Sequence, residues 1–149
     1  MPARFSLPSY SGRFRKVKRA VSPRLRLECL EDRRAPAVIT VTGTGDTIAL
    51  DTFATLREAI TSINNQADVN ADITVNRVGG YASTPGGTPD VINFNIAGSG
   101  VQTISATAAE PTIIMPLTIN GYSQVGASVN TLANSDNAVI LIQLDGAGG

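Results

Sequence analysis

Three four-residue segments share one pattern. Ile92-Asn93-Phe94-Asn95, Leu117-Thr118-Ile119-Asn120 and Ile142-Gln143-Leu144-Asp145 each read apolar, polar, apolar, Asn or Asp, and successive copies lie 25 positions apart. A fixed period of this size marks a solenoid, because each unit can bury its apolar side chains only by stacking on the next. The pattern predicts an inward stack of Phe94, Ile119 and Leu144. Asn95, Asn120 and Asp145 would mark one corner, where their side chains satisfy turn backbone groups. The surrounding residues agree in type: from residue 35 onward Val and Ile number 23 against 6 Leu, with 15 Thr. Such β-branched side chains are stiff at χ1 and suit a pleated surface better than a helix. Thirteen Gly cut this region into short pieces, which predicts strands over 37–42, 46–50, 73–78, 91–96, 101–105, 112–119 and 138–145. The expected fold class is all-β, a parallel β-helix.

One segment departs from this pattern. Thr55-Leu56-Arg57-Glu58 is a capping box: the Thr55 hydroxyl accepts from the backbone N–H of Glu58, and the Glu58 carboxylate accepts from that of Thr55. Leu56, Ala59, Ile60 and Ile63 follow at helical spacing, so a helix is predicted over 56–65 with one apolar face to bury. Residues 66–89, rich in Gly, Asn and Asp, read as a loop insert or protruding hairpin.

Charge divides the chain. The 12 basic and 12 acidic side chains cancel in total, yet residues 1–34 hold ten of the bases and three of the acids, a net +7. Residues 35–149 hold only Arg57 and Arg77 against nine acids, a net −7. A basic leader over 1–36, largely unpacked because Pro, Arg, Ser and Gly interrupt it, therefore precedes an acidic body over 37–149. The leader has neither the apolar core of a signal peptide nor a transmembrane run. Its bases, with Phe5, Tyr10 and Phe14, suit a nucleic-acid tail in type; most such charge runs are solvated tails, and the acidic body repels polyanions. We expect no nucleic-acid partner.

Leu27-Glu28-Cys29-Leu30-Glu31-Asp32-Arg33-Arg34-Ala35-Pro36-Ala37 resembles the short N-terminal motif of planctomycete extracellular proteins. That resemblance implies a sorting role for Leu27, Glu28, Leu30, Glu31, Asp32, Arg33 and Pro36, and an extracellular or cell-surface destination. The family's usual Pro is Cys29 here, so Cys29 is given no role. Further along, Thr55-Leu56-Arg57-Glu58-Ala59-Ile60, Asp90-Val91-Ile92-Asn93-Phe94, Pro111-Thr112-Ile113, Leu117-Thr118-Ile119-Asn120-Gly121 and Gln124-Val125-Gly126 are similar to the Cys-Ser-Leu-Arg-Glu-Ala type N-terminal region of bacterial right-handed β-helix surface proteins. The family Cys falls on Ala54. The resemblance implies pectin-lyase-like, right-handed coils with the helix capping them.

Catalytic chemistry has little to work with. Zero His removes the commonest general base and every imidazole metal ligand, and one Cys allows no internal disulfide. Asp68-Val69-Asn70-Ala71-Asp72 has the alternation that opens a calcium loop, but Ile73 stands where Gly is needed and Gly79 where the bidentate Glu is needed. Asp68, Asn70 and Asp72 are thus a weak calcium candidate and otherwise a polar loop, and no other cofactor is expected. Gly79-Gly80, Gly86-Gly87 and Gly43-x-Gly45 lack the features of a phosphate loop and read as turns. Asp46, Asp51, Asp90, Asp136 and Asp145 are scattered among turns.

No catalytic residue is assigned. The expected function is adhesion or structure on an exported surface protein, with an extracellular glycan or protein as ligand. The alternative is the first part of a carbohydrate-active enzyme, a polysaccharide lyase or glycoside hydrolase, whose catalytic coils lie beyond Gly149. In both cases the repeat at the C-terminus reads as unfinished, and a longer protein is expected.

Overall fold

The computed structural model describes residues 3, 12, 35–82, 84 and 87–146. The chain divides into two units, Met1–Glu31 and Asp32–Gly149, and the architecture below is that of the second. The sorting positions Leu27, Glu28, Leu30, Glu31, Asp32 and Arg33 lie outside the described residues, while Pro36 lies within them.

Among the described residues, the body has six short strands and two α-helices: β1 (Val38–Val41), α1 (Leu56–Asn65), α2 (Ala71–Val75), β2 (Arg77–Val78), β3 (Asp90–Phe94), β4 (Gln102–Ser105), β5 (Leu117–Asn120) and β6 (Ile142–Asp145). They form a four-stranded sheet in the order β2-β1-β3-β5 and a two-stranded sheet of β4 and β6. Pairing is parallel except at β2, which runs antiparallel to β1 with Val38 opposite Val78.

The protein is therefore a small mixed α/β body, and the expected all-β solenoid is wrong. Two findings overturn it. First, β1 reaches its parallel neighbour β3 through both helices rather than through a coil of strands, and β2 closes that side of the sheet. Second, the 25-residue recurrence is not the register. Ile92 lies opposite Ile119 rather than Leu117, and Ile142–Asp145 pairs with Gln102–Ser105 instead of stacking on β5. A slip of two residues keeps every side chain on its own face, so the recurrence preserves alternation but not alignment. The slip brings Asn93 beside Asn120, whose side-chain amides bond at 3.3 Å. Phe94 is then left past the end of β5, where its N–H donates to Ser123 Oγ at 2.7 Å in the 3₁₀ turn Gly121–Ser123.

The expected stack of Phe94, Ile119 and Leu144 does not form: Phe94 is buried while Ile119 and Leu144 are exposed. Nor is there a shared corner. The Asn95 N–H donates to Val41 O, Asn120 sits by Asn93, and Asp145 pairs with Ser105.

The structure places α1 over Leu56–Asn65 with both halves of the capping box made, and the left-handed Gln66 (φ 53°) ends it. Leu56, Ala59, Ile60 and Ile63 are buried against Ile39, Val41, Ile92, Phe94 and Ile104, so one core joins helix and both sheets. Each of the larger side chains, Ala59 apart, contributes roughly 1.5–3 kcal/mol by leaving water. The region 66–89, read as a loop insert, carries α2 and β2; Asn70 caps α2 by accepting from the Ile73 N–H. Residues 46–50, expected as a strand, have no regular structure.

At the start of the body, the Ala37 N–H donates to Asp90 Oδ1 at 2.8 Å, and both residues are fully buried. Gly79 is required here: its φ is +81°, and a Cβ would lie 2.5 Å from Pro36 O.

Candidate binding groove

Two segments meet above the sheet. Residues 42–46 leave β1, and residues 51–55 lead into α1. Both the Thr42 and Gly43 N–H groups donate to Ala54 O (2.9 and 3.2 Å), and the Ala54 N–H donates to Thr42 Oγ1 at 2.9 Å. This close pairing places Phe53 over Gly43, where a Cβ would meet the Phe53 Cβ at 2.8 Å. Phe53 is 51 % exposed. With Thr42, Thr44, Asp51, Thr55, Ile96, Ala97 and Gln102, it lines an open groove of about 370 Å³. The far wall is fixed by the buried Gln124, which accepts from the Ile96 N–H at 2.9 Å and donates to Ile96 O at 2.7 Å.

The rim is held under strain. Thr52 has φ 78°, a left-handed conformation that a β-branched residue adopts at a cost of order 1–3 kcal/mol. Asp72 Oδ2 holds it there by accepting from the N–H groups of Asp51 (2.8 Å) and Thr52 (2.9 Å). Thr52→Gly, which removes the strain, is expected to raise stability by about 1 kcal/mol. An unchanged or lowered urea midpoint would show that no strain is stored at Thr52.

A charged cluster lies next to the groove. Arg57 Nε donates to Asp46 Oδ1 at 2.8 Å and Nη2 donates to Asp46 Oδ2 at 3.0 Å. The same guanidinium donates to the carbonyls of Ala108 and Ala109. Thr107 adds its N–H (2.6 Å) and hydroxyl (2.8 Å) to Asp46 Oδ2. Asn64, one side further along α1, donates to Thr112 O and accepts from the Ile114 N–H, so residues 107–114 are strapped to the helix at both ends.

The Arg57 hydrogen bonds outweigh burial and hold the Asp46 carboxyl well below the usual range. Burial first, then the neighbouring Asp46 carboxylate, pushes the Glu110 carboxyl up against the attraction of Arg57 at 3.7 Å. A raised carboxyl lowers stability as pH rises through its folded value, so Glu110→Gln is expected to flatten that loss. A pH–stability profile with the same slope in both proteins would count against this.

Asp68, Asn70 and Asp72, the calcium candidate, are not brought together. Asp68 accepts from Arg77 (2.7 Å), the Tyr81 hydroxyl (2.6 Å) and Thr74 (3.0 Å); Asn70 caps α2 and donates to Glu58 at 2.6 Å; Asp72 serves the groove rim. Among the described residues no group of three or more His, Cys, Asp or Glu side chains is placed to hold a metal. The Arg77 bonds, ahead of burial, lower the Asp68 carboxyl from 3.8 to about 2. Its stabilisation is complete above pH 4 and is lost as pH falls toward 2. Asp68→Asn should remove that part of the acid transition, as read by circular dichroism.

Of the cap residues, Thr55 lines the groove, Leu56 and Glu58 are buried beneath it, and Arg57 is engaged by Asp46. Sequence reasoning missed Phe53, Gln102 and Glu110, and gave Gln124 no role beyond its place in the resemblance. The Phe53-after-Asp51 pair was the one visible signal, because an aromatic residue beside turn residues is often displayed. Comparison with protein-family models, with curated proteins and with solved structures finds no match for this chain. No helix among the described residues is long and apolar enough to cross a membrane.

Proposed function

We propose that this is an exported, extracellular or cell-surface binding protein, non-catalytic in this segment, whose groove takes a neutral glycan. The observation that carries the reading is the half-exposed Phe53 ring set among Thr42, Thr44, Asp51 and Gln102. An apolar ring stacks on the C–H face of a sugar while hydroxyl, amide and carboxylate groups meet its hydroxyls. Charge narrows the class. Arg57 and Arg77 are the body's cations, both are engaged by carboxylates, and the groove lining contains none. Uronates, sulfated glycans and nucleic acids would find no counter-ion there. Support for export comes from the resemblance of residues 27–37 to the planctomycete motif.

Calorimetric titration with neutral oligosaccharides tests the ligand class. Phe53→Ala is expected to weaken binding at least tenfold, about 1.4 kcal/mol, with the urea midpoint kept. Equal binding by the variant, or preference for uronate oligomers, would sink the assignment. Replacing Leu27, Leu30 and Pro36 together by Ala tests export: the protein should leave the cell-surface fraction, and retention there would remove the sorting role.

The alternative of a carbohydrate-active enzyme with its catalytic coils beyond Gly149 assigns no role to this segment. A separate reading would place hydrolysis here, on Glu110 and Asp46, which flank Arg57 at 3.7 and 2.8 Å. The geometry favours a structural clamp, since both Asp46 oxygens are already occupied by Arg57 and Thr107. Release of reducing ends that is lost in Glu110→Gln would reverse that choice.

A further inference from the structure

Two core columns run out into solvent. Ile39, Ile92 and Ile119 stand side by side across β1, β3 and β5, and side chains paired in this way share one face of the sheet. The first two are 0 % exposed, whereas Ile119 is 40 % exposed. In the second sheet Ile104 is opposite Leu144, and exposure rises from 2 % to 58 %. Between these ends Tyr122 and Ile140, also exposed, line a groove of about 220 Å³ with Ile119, Asn120 and Gly121.

Among the described residues, β3 is the single ladder partner of β5, so the other backbone edge of β5 is open. Proteins usually guard such edges with Lys, Pro or a bulge. Leu117–Asn120 carries none of these, and residues 111–146 contain no Lys or Arg and only two acids, Asp136 and Asp145.

We propose that this face binds a second copy of the chain, with β5 pairing antiparallel to β5 of the other copy about a twofold axis through Ile119. The strand is self-complementary about that point. Ile119 meets Ile119, and Thr118 meets Asn120, apolar against apolar and hydroxyl against amide, with directly opposed residues sharing a face. A twofold contact requires this self-matching. The strand itself is uncharged, so pairing β5 with β5 sets no like charges directly opposite one another. An unrelated extended peptide would cover the β5 edge alone. A second body also brings the same apolar groove of Ile119, Tyr122 and Ile140 beside that edge.

Sedimentation equilibrium on the full chain at up to about 100 μM tests the contact, repeated near 0.5 M salt, where charge attraction between leader and body is screened. A reversible dimer that persists in salt is expected. Ile119→Lys should weaken it at least a hundredfold while keeping the wild-type circular dichroism spectrum. In a Cys29→Ser background, Ile119→Cys should cross-link to itself on mild oxidation, since residues opposed across an antiparallel pair lie within disulfide reach. A monomeric wild type, a dimer erased by salt, a folded Ile119→Lys protein that still dimerises, or Ile119→Cys that does not cross-link would each overturn the proposal.

Discussion

Asp46→Ala is expected to lower the unfolding free energy by about 3 kcal/mol, the low end of the cost of breaking a buried ion pair, because Arg57 keeps Glu110 at 3.7 Å and two carbonyl acceptors. The Asp46 side chain is 1 % exposed and that of Arg57 14 %, so little water reaches the guanidinium once the carboxylate is gone. Thr107 loses the acceptor for both its N–H and its hydroxyl. Urea denaturation reads the effect as a lower midpoint at unchanged slope. Asp46→Asn keeps the volume and part of the hydrogen bonding, so a smaller loss is expected. A second readout is independent of stability: the Glu110 carboxyl, raised in part by Asp46, should titrate lower in Asp46→Ala. A wild-type midpoint together with an unmoved Glu110 titration would show that the cluster holds nothing.

Glu58→Ala should cost about 3 kcal/mol or more, because a single fully buried carboxylate serves three donors. Glu58 Oε2 accepts from the Thr55 N–H at 2.9 Å, while Oε1 accepts from the Ala49 N–H at 2.9 Å and from Asn70 Nδ2 at 2.6 Å. The side chain therefore closes the capping box of α1, pins the loop before it and anchors the residue that caps α2. Loss of an ordinary cap costs about 1 kcal/mol, so a result of that size would mean the loop and α2 stand without Glu58. Glu58→Gln keeps the volume but turns a donor toward donors, and should fall between wild type and Glu58→Ala.

These two residues show what the sequence makes legible. The Thr55–Glu58 box and the stripe of Leu56, Ala59, Ile60 and Ile63 are local: every partner lies within two helical turns, so spacing alone locates α1. Asn70 reaching Glu58 over twelve residues is a tertiary contact, and no spacing announces it. The strands show the same limit in another form. Alternation over Ile92–Asn95 and Leu117–Asn120 correctly marks two strands, yet alternation is unchanged by a two-residue shift, and the contacts that go with the register, Asn93 with Asn120 and Phe94 with Ser123, are tertiary. Composition rich in Val, Ile and Thr concealed α2, whose Ile73 is buried and whose cap at Asn70 overrides weak helix propensity across Ala71–Val75. The groove was the least legible part, because Phe53 and Gln102 are brought together only by the sheet beneath them.

The grip of Asp90 on Ala37 makes residues 35–37 part of what the folded body needs. A protease that cuts ahead of Ala35 leaves the buried N–H of Ala37, the Ala35 carbonyl that accepts from Gly80, and the Ala37 carbonyl that accepts from Val91 all in place. One that cuts after Ala37 takes those groups away and puts a charged amine at the first residue of β1. Once the body has closed on Ala37 that bond is hidden, so the folded state itself protects the residues it needs.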